Sequence, residues 1–203
     1  MNRLPRRLVL AALALTPASC GSLLPLGGAP PKLYTLTPAG DFPPGGARVS
    51  WQLLIDVPAS AAALDSERIA LRRSPTTIDY FADAAWTDRA PLMLQSLLVQ
   101  SFENSDRIPA IARESLALRA DYVLLTELRD FEAEYAAGVA PVAHVQLGVK
   151  LIRMPDRVIA AQQRVDATAP AAANQVPAIV DAFNAAFHQA ARQIVDWTLA
   201  TGR

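Results

Sequence analysis

Residues 142–168, VAHVQLGVKLIRMPDRVIAAQQRVDAT, decide the fold of this chain. Val145, Leu147, Val149 and Leu151 point to one side of an extended backbone, and His144, Gln146, Gly148 and Lys150 to the other. A period of two marks a half-buried strand. Met154-Pro155-Asp156-Arg157 supplies a loop, and Val158 to Thr168 returns as a second strand, so a hairpin is predicted. Upstream, Tyr122 to Glu134 (YVLLTELRDFEAE) begins apolar on both faces and becomes charged toward its end. It reads as a strand that enters the centre of a sheet and emerges into solvent. The three segments form an antiparallel meander.

Downstream, Ala169 to Asn174 is a loose connection, and the period then changes. From Val176 to Leu199 apolar residues fall at 176, 179, 180, 183, 187, 190, 191, 194 and 197, the stripe of a helix laid on a core. Ile179, Phe183, Phe187, Ile194 and Trp197 are each worth roughly 1.5 to 3 kcal/mol if buried. An earlier helix is expected from Arg89 to Asn104, with Asp88 as its cap, Pro91 in its first turn, and Leu94, Leu97, Leu98, Ser101 and Phe102 on one face. Ahead of it, Trp51 to Val57 reads as a strand closed by Pro58. The run RIALRR, the turn Ser74-Pro75 and TTIDYF read as a hairpin over residues 67–82. Ile108 to Ala112 contains Pro109 and would be an edge strand. Strands, helix, strands and helix in this order predict an α+β fold: a single domain with a mixed but mainly antiparallel β-sheet and two main amphipathic helices packed on it.

The first residues carry a different message. Arg3, Arg6 and Arg7 precede the apolar run Leu8 to Leu15, and Pro17-Ala18-Ser19 leads into Cys20, the one cysteine of the sequence. This is a secretory signal layout, and the run falls well short of the about 20 residues needed to span a bilayer. The cysteine placed after small residues resembles a bacterial lipobox, although Pro17 stands where such boxes usually carry Leu. An ordinary cleaved export peptide would instead leave an unpaired thiol in an oxidising compartment. The expected organisation is a lipoprotein signal peptide over 1–19, a lipidated Cys20 with a Gly/Pro-rich tether over 20–46, and a folded domain over 47–203. Within the tether, Tyr34 to Thr37 is expected as the first ordered strand.

Charge excludes some functions. The 19 basic and 19 acidic residues balance, and loss of the three signal arginines leaves a mildly acidic chain, unlike a nucleic-acid binder. No HExxH, GxSxG, CxxC or phosphate-binding glycine loop occurs, so neither an enzyme nor a metal or cofactor site is expected. His144 falls on the polar side of its strand. His188, with Asn184 before it and Arg192 after, reads as part of a solvated helix face. Glu127, Asp130, Glu132 and Glu134 read as a solvated strand end, with Arg68, Arg72 and Arg73 on another strand. Trp86 reads as a buried anchor joining helix to sheet.

Cys20, the Lys32-Leu33-Tyr34-Thr35-Leu36 segment, RIALRR with Ile78-Asp79-Tyr80-Phe81, Trp86 with the Leu-rich helix, and the helix from Phe183 to Trp197 together resemble the PqiC-like ABC-type transport auxiliary lipoprotein family. The resemblance implies a non-enzymatic outer-membrane lipoprotein of a Gram-negative envelope, without cofactor. It also implies an MCE-domain protein spanning the periplasm as partner, an inner-membrane permease and ATPase, and a phospholipid or other hydrophobic cargo. Gly21 after the cysteine agrees with outer-membrane sorting. A homo-oligomer remains open, as does the alternative of a structural or assembly lipoprotein for another outer-membrane complex.

Overall fold

The computed structural model describes residues 30–113, 120–135 and 140–202. The expected signal peptide and Cys20 lie outside them. Nine strands and two helices follow among these residues: Lys32–Tyr34 (β1), Leu53–Ile55 (β2), Ala59–Ser60 (β3), Arg68–Ser74 (β4), Thr77–Trp86 (β5), Ala90–Asn104 (α1), Ile111–Arg113 (β6), Tyr122–Glu134 (β7), Val142–Arg153 (β8), Val158–Pro170 (β9) and Val176–Thr201 (α2).

The organising strand is β7. Along its whole length it pairs antiparallel with β8, which pairs antiparallel with β9, and this is the expected meander with its turn at 154–157. On its other side β7 takes several short parallel partners: β2 and β3 toward its start and β4 toward its end. Beyond β4 come β5, antiparallel, and β1, parallel to β5; β6 lies outside β2 as an edge strand. The long ladders are therefore antiparallel and the short ones parallel, in one mixed open sheet.

Alternation sorts the two faces of this sheet. Ala143, Val145, Leu147, Val149 and Leu151 of β8 are buried, as are Val165, Ala167 and Ala169 of β9. They face α2, which covers β8 and β9, while α1 lies over β2 and β6 and touches α2. Trp86, Phe131 and Phe183 meet at ring-centroid distances of 4.9–5.4 Å where strand ends and α2 converge, so Trp86 is the expected buried anchor. α1 begins one residue later than expected, and its N-cap is Arg89, without a side-chain cap bond. Asp88 does not cap it: its carboxylate accepts the neighbouring Arg89 N–H, while the Arg89 guanidinium turns to Asp65.

Two readings of the sequence need correction. Residues 31–46 are not a free tether but belong to the compact unit Pro31–Arg203. The first strand is Lys32–Tyr34 rather than Tyr34 to Thr37, and Leu36 and Ala39 beyond it are buried. Gly and Pro do keep this stretch irregular, and side chains of the helices supply the partners that its backbone lacks. Asn184 accepts the Thr37 N–H at 2.8 Å, and His188 Nε2 donates to the Thr37 carbonyl at 3.0 Å. Ser101 accepts the Ala39 N–H at 3.0 Å, and Asn104 donates to the Ala39 carbonyl at 2.9 Å. His188 and Asn184 thus clamp the N-terminal segment and are not a solvated helix face.

The second correction concerns the end of β7. It stays inside the sheet between β4 and β8, and Phe131, Glu132 and Ala133 are all buried. The register with β8 shifts between Leu128 and Asp130, so Arg129 is an extra residue. Such a bulge reverses the alternation, placing Phe131 and Ala133 on the core face and Asp130, Glu132 and Glu134 on the other.

Candidate functional site

Helices occupy the inner face of the sheet, which leaves the outer face as the place where polar side chains gather. At the β4 end of that face, Glu132 is fully buried and faces Arg72, whose Nε pairs with Glu132 Oε1. Glu132 Oε2 is buried without a hydrogen-bond partner. Burial pushes the Glu132 carboxyl above the usual carboxylate range, Arg72 opposes this, and neighbouring Asp130 and Glu134 add to the rise. The Arg72 guanidinium also approaches Asp130 at 3.4 Å and donates to the Pro75 carbonyl at 3.2 Å.

The cluster continues across the meander. His144 lies between Glu134, 2.7 Å from Nδ1, and Asp166, 3.0 Å from Nε2, and Asp166 also accepts from Gln146 at 2.9 Å. Burial lowers the His144 pKa, but the hydrogen bonds to Glu134 and Asp166 outweigh it, so the imidazole titrates above its ordinary range. Both ring nitrogens are occupied by carboxylates. The arrangement holds charge in place and offers no free imidazole nitrogen to a reacting group.

Further along the same face a groove of about 550 Å³ opens over the middle of β7, β8 and β9. Its working residues are Glu127, Arg129, Lys150, Gln162 and Arg164, with Leu125 in the wall. The bulge in β7 aims Arg129 across the strand pair onto Gly148, where a Cβ would come within 3.1–3.2 Å of the guanidinium. Glu127 Oε2 accepts from Arg129 Nη2 at 2.9 Å and from Nε at 3.2 Å. A glycine inside a strand marks a close approach, so Gly148 was the signal in the sequence that could have located this groove.

The comparisons with known proteins bear on this domain as a whole. A family model described as the ABC-type transport auxiliary lipoprotein component matches residues 34–195. The chain belongs to this family. The family match begins at Tyr34, inside the stretch first read as tether. A crystal structure of a Xanthomonas campestris protein of family DUF330 superposes with a TM-score of 0.80 at 34% identity, over 84% of this chain and 96% of that one. A crystal structure of an uncharacterized protein, 13% identical with a TM-score of 0.66 over 83% of this chain and 99% of that one, shares the fold. An uncharacterized Bradyrhizobium diazoefficiens protein is 31% identical over 180 residues, which are 85% of this chain and 47% of that protein. The chain thus spans about half the length of this curated relative.

As an auxiliary lipoprotein the chain has its attachment point, in the sequence reading, at Cys20, outside the described residues. Within the domain, the acidic residues expected on one strand end are divided by the fold. Glu127 joins the groove, while Asp130, Glu132 and Glu134 join the cluster with Arg72 and His144, in which Glu132 is buried. Arg68 and Arg73 go elsewhere, lying over the rings of Tyr80 at 3.8 Å and Tyr135 at 4.7 Å.

Proposed function

We propose that this auxiliary lipoprotein is the outer-membrane, periplasm-facing subunit of an MCE-type system that moves phospholipid between the membranes of a Gram-negative envelope. It docks the periplasm-spanning MCE-domain protein, whose inner-membrane partners are a permease and an ATPase, and it catalyses no reaction itself. The observation that carries this reading is the family match over residues 34–195. The geometry supports it: the groups that would do acid–base work, His144, Glu134 and Asp166, are bonded to one another. Cys20 would carry the anchor, and two acyl chains hold a protein stably where one is marginal.

The test is affinity purification of the tagged full chain from detergent-extracted membranes, followed by mass spectrometry. Recovery of an MCE-domain protein with its permease is expected; recovery instead of a β-barrel assembly or lipopolysaccharide-export complex refutes the transport role and favours a structural lipoprotein. Fractionation should place the protein with the outer membrane, and its confinement to the inner membrane would refute the location. Cys20→Ser should block processing or release the protein from the membrane, and unchanged retention would refute the anchor.

A further inference from the structure

Three basic side chains line the outer-face groove, Arg129, Lys150 and Arg164, against one carboxylate, Glu127. That carboxylate is already bonded to Arg129. Among the described residues the side chains of Lys150 and Arg164 make no ion pair or hydrogen bond, so the groove carries two uncompensated cations. β8 and β9 bring Gly148 opposite Arg164 and Lys150 opposite Gln162, so Lys150 and Arg164 are diagonal neighbours on one face, a spacing that long side chains can bridge. Arg129 adds a guanidinium held flat over Gly148. Glu127 takes its Nε and Nη2, which leaves Nη1 to meet a phosphate oxygen alongside Lys150 and Arg164.

The surroundings say what carries the phosphate. Leu125, in the groove wall, is 37% exposed and pairs across the ladder with Lys150. Two residues further toward the β8–β9 turn, the same face carries Val123, Ile152 and Ile159 in cross-strand register, and Ile159 is 52% exposed. An apolar strip thus leads out of a cationic groove, a pairing of surfaces that suits an amphiphile and not a free anion. Exposed apolar residues grouped beside polar ones mark an interaction site.

We propose that this groove binds the phosphate headgroup of a phospholipid, with Arg129, Lys150 and Arg164 on the phosphate and the strip from Leu125 through Val123, Ile152 and Ile159 under the start of the acyl chains. The proposal deepens the phospholipid-transport reading and rests on it. It assigns to the domain direct contact with lipid in addition to docking.

The test is native mass spectrometry of the full lipidated chain in an uncharged detergent, with three probes added separately. These are dioleoylphosphatidylglycerol, dioleoylglycerol, which lacks the phosphate, and glycerol 3-phosphate, which lacks the chains. One-to-one adducts with dioleoylphosphatidylglycerol are expected, at least tenfold weaker with either truncated probe. Lys150→Glu with Arg164→Glu should weaken the lipid adduct at least tenfold at an unchanged melting temperature, while Arg113→Glu on β6 leaves it intact. Equal adducts in the double variant would overturn the proposal. Equal affinity for glycerol 3-phosphate would show a bare phosphate site and overturn the lipid assignment. If the double variant keeps lipid adducts but loses the MCE-domain protein, the groove is a protein-docking surface. A chain that recovers its transport partners but forms no lipid adduct loses this proposal alone. One that forms the adduct yet recovers no transport partner loses the transport reading and keeps the site.

Discussion

Arg72→Met should turn the buried Glu132 from a compensated charge into an uncompensated one. Methionine retains much of the apolar stem that Arg72 lays along the sheet and removes the guanidinium. Glu132 is fully buried and its Oε2 already lacks a partner, so loss of Arg72 leaves the whole carboxylate without a cation. Breaking a buried pair from one side costs about 3–5 kcal/mol. That loss is expected at pH 8 and should shrink on acidification. Burial holds the Glu132 pKa above its unfolded value, about 4.3, even with Arg72 present, and without Arg72 it rises further. A carboxyl that binds its proton more tightly when folded stabilises the fold as pH falls through the folded pKa, and that stability is lost as pH rises through it. At low pH the variant therefore carries a neutral acid lacking part of its hydrogen bonding, a cost of about 1–3 kcal/mol.

The assay is urea unfolding of the full chain in mild detergent at pH 5, 6.5 and 8, followed by tryptophan fluorescence. Trp86, buried against Phe131 and Phe183, reports the loss of the core. The double variant Arg72→Met with Glu132→Leu should lie near wild type or above it, since apolar replacement of a buried pair is often neutral or stabilising. A single-variant loss below about 1 kcal/mol at pH 8, or an equal loss at pH 5 and pH 8, would refute the buried-charge account.

His144→Asn should lower stability by about 1 kcal/mol at pH 5.5 and by less at pH 8, because the bonds to the half-exposed Glu134 and Asp166 are worth most while the imidazole is charged. The raised His144 pKa places that stability fully below the unfolded value, about 6.5, and removes it as pH climbs through the folded one; urea midpoints at the two pH values measure it. Asn184→Ala removes the acceptor of the Thr37 N–H and should cost about 0.5–1.5 kcal/mol, with faster limited proteolysis near residues 35–42 as its readout. Phe183→Ala empties the centre of the Trp86–Phe131–Phe183 cluster and should cost about 3–5 kcal/mol in the same unfolding assay.

Local pattern alone determined much of this molecule. The period-two segments of β8 and β9 with the 154–157 turn, the helical stripe of α2 and the Leu-rich α1 are all visible because each burial pattern repeats within one segment. The expected signal layout ending at Cys20 is also read from adjacent residues, which lie outside the described ones. Tertiary structure decided where distant segments meet. The parallel pairing of β2, β3 and β4 along β7 joins residues far apart in the chain, and no local period encodes it. One extra residue at Arg129 reversed the alternation of β7, so charges that read as a solvated strand end became a buried Glu132 and a groove-lining Arg129. Residues 35–46 are irregular, as their Gly and Pro content implies, yet they are held in place because α1 and α2 supply Ser101, Asn104, Asn184 and His188 to their backbone. Composition fixes whether a segment can form its own hydrogen bonds; only the assembled fold fixes who completes them.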